Sequence, residues 1–390
     1  MLKAFKYRLY PTQAQEVLLS KHFGACRFVY NLALETKQAA YSSARVNLSR
    51  YDLQVQMKDL KQECEWLNEI NAQSLQSELM HLDAAYSKFF KGLAAFPNFK
   101  NRNGRQSFQC PQSSKIKDGK LKLIKFPEGI KIVLSRLFEG EMRTVTISRT
   151  PTNKYFASIL IQDNKPLPKT KKIKEATTIG IDLGLKTFAT LSDGTEYENP
   201  KHLKKALKRL KMLQKRASKK VKGSANRKKA NLRVALAHEK VTNQRKDFLH
   251  KFSDAITKQY DTICVENLNI KGIVQNHKLA QAVSDVGWSM GLDFIKYKAE
   301  WRGKTYHEIG RWDASSKLHN GCGYLNKELT LADRQWLCPK CGELVDRDIN
   351  AALNIKQFGL IYLGVERPDF KPAEFRTLVE TMKQEFPVKD

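Results

Sequence analysis

With 390 residues, 41% of them hydrophobic, and 19 Phe, 13 Tyr and 5 Trp, the chain has enough apolar material for two to three cores and is not a disordered polymer. Sixty-nine Lys and Arg against forty Asp and Glu leave a formal charge of +29, a surplus that points to a polyanionic partner and to nucleic acid before a membrane surface. No apolar run approaches the roughly 18 residues of a membrane span, and no signal-peptide pattern precedes Lys3 and Lys6, so a cytoplasmic protein is expected.

The opening LKAFKYRLY alternates with period two and predicts a strand. Pro11 and Thr12 then start a helix. Thr12 and Gln15 are spaced as a capping box, and Val17, Leu18, Phe23, Phe28, Val29 and Leu32 supply an apolar face. Helix resumes over 51–91, interrupted near 65–71. Residues 96–111 (FPNFKNRNGRQSFQCP) read as a loop that interleaves Lys100, Arg102 and Arg105 with Phe96, Phe99 and Phe108. That mixture suits phosphate pairing and base stacking; it equally suits a solvated loop pinned by buried Phe. From 115 to 162, KLKLIKFP, GIKIVLSR, TVTISRT and YFASILIQD predict strands. With the opening strand they could close a small barrel over 1–11 and 110–170 that carries the helical stretch 12–109 as an insertion. The Pro- and Lys-rich segment KPLPKTKKIK over 165–174 is a natural linker.

Beyond it, residues 177–197 predict two strands around Asp193-Gly194. Residues 201–250 hold eighteen Lys and Arg and only two acids, Glu239 and Asp247. Leu203, Leu207, Leu210 and Leu213 fall at helical spacing, and Leu232, Val234 and Leu236 do so more loosely. Two long basic helices joined near 222–226 are therefore expected. Self-repulsion would destabilise such a run without a polyanion. Lys204, Lys205, Lys208, Arg209, Lys215, Arg216, Lys219, Lys220, Arg227, Lys228 and Lys229 are accordingly candidate nucleic-acid contacts, alongside Lys100, Arg102 and Arg105.

Three separated acids stand out. Asp182 lies in a nearly unbroken apolar run, as in a strand buried on both faces. Glu266 follows the apolar TICV. Asp348 opens a segment in which Ile349, Ala352, Leu353 and Ile355 form a helix face, leaving the acid free to point at the strands. A buried acid is costly unless it is paired or binds a cation. Three brought together would suit two Mg2+ ions and phosphodiester cleavage. Asp346 is a secondary acid, and Asn267 and Asn350 could orient metal waters or phosphate, or cap turns.

Of the seven Cys, Cys26, Cys64, Cys110 and Cys264 sit in apolar or mixed contexts as ordinary core thiols. His319, Cys322, Cys338 and Cys341 read as H-x-x-C, fifteen residues, C-x-x-C. That spacing signals a structural Zn2+ ribbon with Cys3His ligation, its knuckles turned at Gly321, Gly323 and Gly342. Arg334, on the loop between the pairs, suits either a DNA contact or an ion pair with Asp333 or Glu328.

GIDLGLKTFATLSDG, VENLNIKGI and DRDINAALNI resemble the three RuvC motifs of the OrfB/TnpB proteins of bacterial insertion sequences, which look like ancestors of type V CRISPR effectors. The opening MLKAFKYRLYPTQAQEVLLSKHFGACRFVYNLAL, the FPNFKNRNGRQSF segment and the tail LGVERPDFKP extend the likeness over nearly the whole chain. The family usually has Cys where His319 stands.

The resemblance implies a multi-domain α+β protein: a β-barrel (wedge) with an inserted helical REC lobe, then an RNase H-like (RuvC) nuclease domain over 171–310 and 345–365. A zinc ribbon over 311–344 would interrupt that domain. The mixed charge and prolines of 366–390, by contrast, themselves suggest a disordered tail. The resemblance also implies RNA-guided cleavage of double-stranded DNA beside a short transposon-adjacent motif, in a bacterial or archaeal cytoplasm. The guide RNA would come from the transposon's own end, and Asp182, Glu266 and Asp348 would be the catalytic, Mg2+-binding acids. A repressor that binds DNA under RNA guidance without cutting, and a recombinase that ignores RNA, are the alternatives.

Overall fold

The computed structural model describes residues 1–365, apart from 312 and 331 and the side chains of 271 and 278; the expected tail over 366–390 lies outside the described residues. The chain divides into two compact units, the first ending at Pro166 and the second beginning at Leu167, inside the Pro- and Lys-rich linker.

In the first unit, β1 (Leu2–Tyr10) is the predicted opening strand, with Tyr7 and Leu9 turned into the core. It leads into α1 (Gln13–Ala44). The Thr12 hydroxyl accepts the Gln15 N–H at 3.4 Å while the Gln15 carboxamide accepts the Thr12 N–H at 3.1 Å, so the capping box forms. A second box, Ser49 with Asp52, starts α2 (Arg50–Glu63). A short 3-10 turn at Glu65–Glu69 fills the expected interruption before α3 (Ala72–Phe90).

The buried stripe of α1 runs through Leu19, Phe23, Cys26, Val29, Ala33 and Leu34. Of the expected face, Phe23 and Val29 are buried, but Val17 is 57% exposed and Phe28 lies half-open against the Trp66 ring. The true stripe was masked by a polar member. His22 is fully buried, its Nδ1 on the Leu18 carbonyl and its Nε2 accepting the Asn71 N–H.

The strands that follow are β2 (Gln106–Cys110), β3 (Lys115–Lys117), β4 (Lys120–Leu123), β5 (Phe126–Val133), β6 (Glu141–Arg149) and β7 (Tyr155–Gln162). They join β1 in one seven-stranded sheet of order β2-β6-β7-β1-β5-β4-β3. β1 sits in the middle of that order, so the helices between β1 and β2 are an insertion in the sheet's sequence. The pairing order ends at β2 and β3, so the hydrogen-bond ladder is open where the sequence suggested a barrel. β2 also enters the sheet at Gln106, four residues ahead of the boundary expected at 110.

The second unit opens with β8 (Thr178–Leu183), β9 (Thr187–Leu191) and β10 (Glu196–Glu198). The Asp193-Gly194 turn joins β9 to β10, with Gly194 at φ +84°, so the segment holds three strands rather than two. Then come α4 (His202–Ser218) and α5 (Ala225–Gln259), the two basic helices. Lys201 offers α4 no side-chain cap. Asp285 supplies one from a distance, accepting the Leu203 and Lys204 N–H groups and pairing with Arg245. The remaining elements are β11 (Thr262–Val265), α6 (Ile270–Gln275), α7 (His277–Val286), α8 (Trp288–Trp301), β12 (Thr305–Glu308), β13 (Gln335–Leu337), β14 (Leu344–Asp346) and α9 (Arg347–Tyr362).

The five-stranded sheet has the order β10-β9-β8-β11-β12, with β8, β11 and β12 parallel and β9 and β10 antiparallel. α9 packs on β8 and β11 so closely that two positions admit no side chain. A Cβ on Gly180 would lie 2.0 Å from the Ala352 carbonyl oxygen and 2.5 Å from the Lys356 nitrogen. A Cβ on Gly359 would lie 2.2 Å from the Cys264 sulfur. Among the described residues, no helix is long and apolar enough to cross a membrane.

Gly180→Ala is expected to cost about 2 kcal/mol or more, because the helix backbone cannot retreat without breaking the core. Gly24→Ala, in the middle of α1 with nothing within 4 Å of its Cβ, should instead stabilise by up to about 1 kcal/mol. Denaturant unfolding of both variants checks the pair.

Candidate functional site

β8 and β11 pair in parallel with Ile181 opposite Val265, so Asp182 and Glu266 occupy the next positions at the same end of neighbouring strands. Side chains alternate across a sheet. Gly180 and Asp182 therefore share the face against which α9 packs, and Cys264 and Glu266 continue that face on the neighbour. Asp348 stands in the first turn of α9. All three acids are half-buried.

Burial is the main force raising the Asp182 carboxyl to about 8; the charges of Glu266 and then Asp348 add to it, while Arg347 and Arg334 oppose. Burial likewise raises Glu266, against Arg347. A set of oxygen donors that holds a proton at neutral pH lacks its counter-charge. Hard divalent cations suit such donors, and the residues fit one.

Among the described residues, the three acids do not form one metal-sized ligand cluster. Asp348 is turned onto Arg334, whose Nη1 donates to both carboxylate oxygens at 3.1 and 3.0 Å. The β13–β14 hairpin brings that arginine in. Neither sequence-based partner for Arg334 is used: Asp333 instead accepts from the Thr330 N–H and hydroxyl. Asp346 is the N-cap of α9, accepting the Asp348 and Ile349 N–H groups. Asn350 turns away from the acids, its Oδ1 on the Asn320 N–H and its Nδ2 on the Leu318 carbonyl.

His319, Cys322, Cys338 and Cys341 converge, their ligand atoms all within 4.8 Å of one another. His319 Nδ1 lies 3.1 Å from Cys322 Sγ and 3.5 Å from Cys341 Sγ, and its Nε2 faces Glu343 at 3.3 Å. A carboxylate on the far ring nitrogen is the usual way a ligating His is oriented. Both knuckles are built alike: the Gly323 N–H donates to the His319 carbonyl and the Gly342 N–H to the Cys338 carbonyl, with φ +71° and +74°. Gly321 serves differently, leaving room for the His319 ring 3.2 Å from its would-be Cβ. Burial works against a Cys338 thiolate. Donation from the Cys341 and Lys340 N–H groups and from the neighbouring thiols outweighs it and holds that thiol below its usual range. Four donors of this chemistry fit one thiophilic metal ion.

Of the expected nucleic-acid contacts, the basic residues named on α4, α5 and the link between them are exposed, except the half-buried Arg227, which donates to the Lys220 carbonyl. Arg102 and Arg105 are exposed too. Lys100 is committed elsewhere: its ammonium pairs with the buried Glu78 and lies over the Tyr30 ring. Phe108 is buried in β2, whereas Phe96 and Phe99 are exposed. Cys26, Cys110 and Cys264 are buried free thiols and Cys64 is half-buried.

Comparison with known proteins is consistent across the chain. A family model of IS605 OrfB proteins, described as "Probable transposase", matches residues 158–277, and one described as "Cas12f1-like, TNB domain" matches 288–355. A model described as "Helix-turn-helix domain" matches residues 1–45, where the structure has one strand and one long helix. A Streptomyces pristinaespiralis protein named "Putative RNA-guided DNA endonuclease" is 39% identical, over 92% of this chain and 89% of that protein. An Escherichia coli K12 protein, "Putative RNA-guided DNA endonuclease InsQ", is 30% identical, over 92% of each. The fold is shared with a chain of the "Cryo-EM structure of the Cas12f1-sgRNA-target DNA complex", at TM-score 0.56 and 13% identity, covering 91% of this chain and 98% of that one.

Cys338→Ala deletes a fully buried donor from the cluster and should lower the metal content of the purified chain below one ion per molecule. Elemental analysis of variant and parent side by side checks this.

Proposed function

This chain belongs to the OrfB/TnpB family, and we propose on that footing that it is an RNA-guided DNA endonuclease of a bacterial insertion sequence. Its target would be double-stranded DNA beside a short transposon-adjacent motif, and its guide an RNA from the transposon end. The observation that carries the reading is the parallel register of β8 and β11, with Asp182 and Glu266 side by side and the Asp348 end of α9 on the same face.

In this reading Asp182, Glu266 and Asp348 hold two Mg2+ ions, which would supply an activated water and a stabilised leaving oxygen. A divalent cation bound there would favour the ionised form of Asp182. Arg334, half-exposed beside Asp348, is placed to meet a phosphate. The Cys3His cluster holds Zn2+ as a structural ion, which fixes the chain between Glu266 and Asp348. The exposed cations of α4, α5 and their link, with Arg102 and Arg105, track the phosphates of guide and hybrid by charge and A-form shape rather than by base sequence.

With the boundary moved to the start of β2, the corresponding domains are a wedge over 1–11 and 106–170, a REC-like lobe over 12–105, a RuvC-type nuclease over 171–310 and 345–365, and a zinc ribbon over 311–344. The unit boundary at Pro166 and the central place of β1 in its sheet support this division. So does the strand order of the second sheet, three antiparallel strands followed by two parallel ones, which is that of an RNase H-like core.

Asp182→Ala should abolish Mg2+-dependent cleavage while leaving RNA and target binding within about twofold of the parent. Cleavage by that variant would remove Asp182 from the chemistry. Tight guided binding with no cleavage by the parent would turn the reading to a repressor.

A further inference from the structure

α9 carries three buried carboxamides on one face, Asn350, Asn354 and Gln357, each no more than 5% exposed. The spacing i, i+4, i+7 aligns them along the helix. Buried amides must find partners, and all three find them on a single short segment beside the Cys/His cluster. Asn350 Nδ2 donates to the Leu318 carbonyl at 2.7 Å, and Asn354 Nδ2 donates to the Ser315 and Leu318 carbonyls at 2.7 and 2.6 Å. From the other side, the Asn320 N–H donates to Asn350 Oδ1 at 2.8 Å. The Asn320 carboxamide donates to Asn354 Oδ1 at 3.0 Å and to Gln357 Oε1 at 2.8 Å.

The segment held in this way contains His319, a donor of the cluster; the helix that holds it carries Asp348 in its first turn. Backbone groups fix the polarity of the ladder. The Leu318 carbonyl needs a donor and the Asn320 N–H needs an acceptor, and a carboxamide supplies both. Neither Asp nor Leu satisfies both demands, although each is close in size.

We propose that Asn350, Asn354 and Gln357 are positioning residues that couple the Cys/His cluster to Asp348, so that metal loading of the cluster sets how well the acids take Mg2+. The inference rests on the nuclease reading. A cluster without its metal frees the His319 segment, the ladder loses its fixed side, and the first turn of α9 is no longer held in one place. Coupling of this kind is reciprocal: a break in the ladder should loosen the cluster as well as the acids.

Two variants test it. Asn354→Asp keeps volume and removes both donations to the backbone. Asn320→Ala removes the two carboxamide contacts from the loop side without touching the helix, and it carries the test alone if Asn354→Asp fails to fold. Each is compared with the parent in three readouts: the rate at which a chromogenic chelator draws metal from the cluster, the Mg2+ concentration giving half-maximal guided cleavage, and guide RNA affinity.

Loss of a supporting hydrogen bond around a metal site typically weakens it by about 10–100-fold. Metal release should therefore be about tenfold faster and the Mg2+ midpoint about tenfold higher, with RNA affinity unchanged. A role in stability alone would reduce the maximal rate, through a smaller folded fraction, and leave the Mg2+ midpoint in place. That outcome, or unchanged metal release, overturns the proposal. A parent protein that cuts nothing with guide and Mg2+ overturns the nuclease reading instead, which separates the two failures.

Discussion

The second unit depends on how closely α9 can lie against the sheet. Two glycines, Gly180 on β8 and Gly359 on the helix, remove the side chains that would hold the layers apart, and Ala352 sits directly over Gly180. Dispersion and burial reward that approach only if no atom intrudes. A methyl group at Gly180 would sit inside the helix backbone. The same contact puts the first turn of α9, with Asp348, over the strand ends that carry Asp182 and Glu266. The grouping of the three acids is thus a by-product of backbone proximity: they meet because the helix has nowhere else to lie.

That gathering has an electrostatic cost. Burial opposes ionisation and raises both Asp182 and Glu266, and the charges of Glu266 and Asp348 add to the rise of Asp182. Arg334 and Arg347 offset part of it, Arg334 through its two contacts to Asp348. The large cationic surplus of the chain lies elsewhere, on the exposed faces of α4 and α5, where neighbouring charges repel and few acids answer them. A concentrated negative site and an extended positive surface within one unit are what an enzyme acting on a polyanion through metal ions requires. A core assembled for stability alone would have neither.

Local signals in the sequence were strong where the physics is local. The Thr12–Gln15 capping box, the break before α3, the linker at Pro166 and the two glycine-turned knuckles all follow from residues within a few positions of one another. The acids were legible because a carboxylate at the end of an apolar strand run is conspicuous, and because their motifs resemble those of a known family. Contacts between distant residues were not legible. His22 hid the buried stripe of α1 by being polar, although Asn71, 49 residues on, satisfies it. Asp285 caps α4 from 82 residues away. Lys100 reads as a free cation in the sequence, but the buried Glu78, 22 residues earlier, pairs with it. Arg334 met Asp348 only through a hairpin whose register no spacing rule supplies, and Asn350, beside an acid in sequence, faces the opposite way.

The central claim is that the carboxylates assembled by α9 cut DNA chosen by a bound RNA. It is tested most directly by purifying the protein co-expressed with the DNA that flanks its gene, so that any bound RNA is retained. The protein is then incubated with Mg2+ and a target plasmid library carrying a randomised flank. The account predicts cleavage that needs the RNA, Mg2+ and one short flanking sequence. Cleavage that persists after RNase treatment and ignores the flank would contradict it.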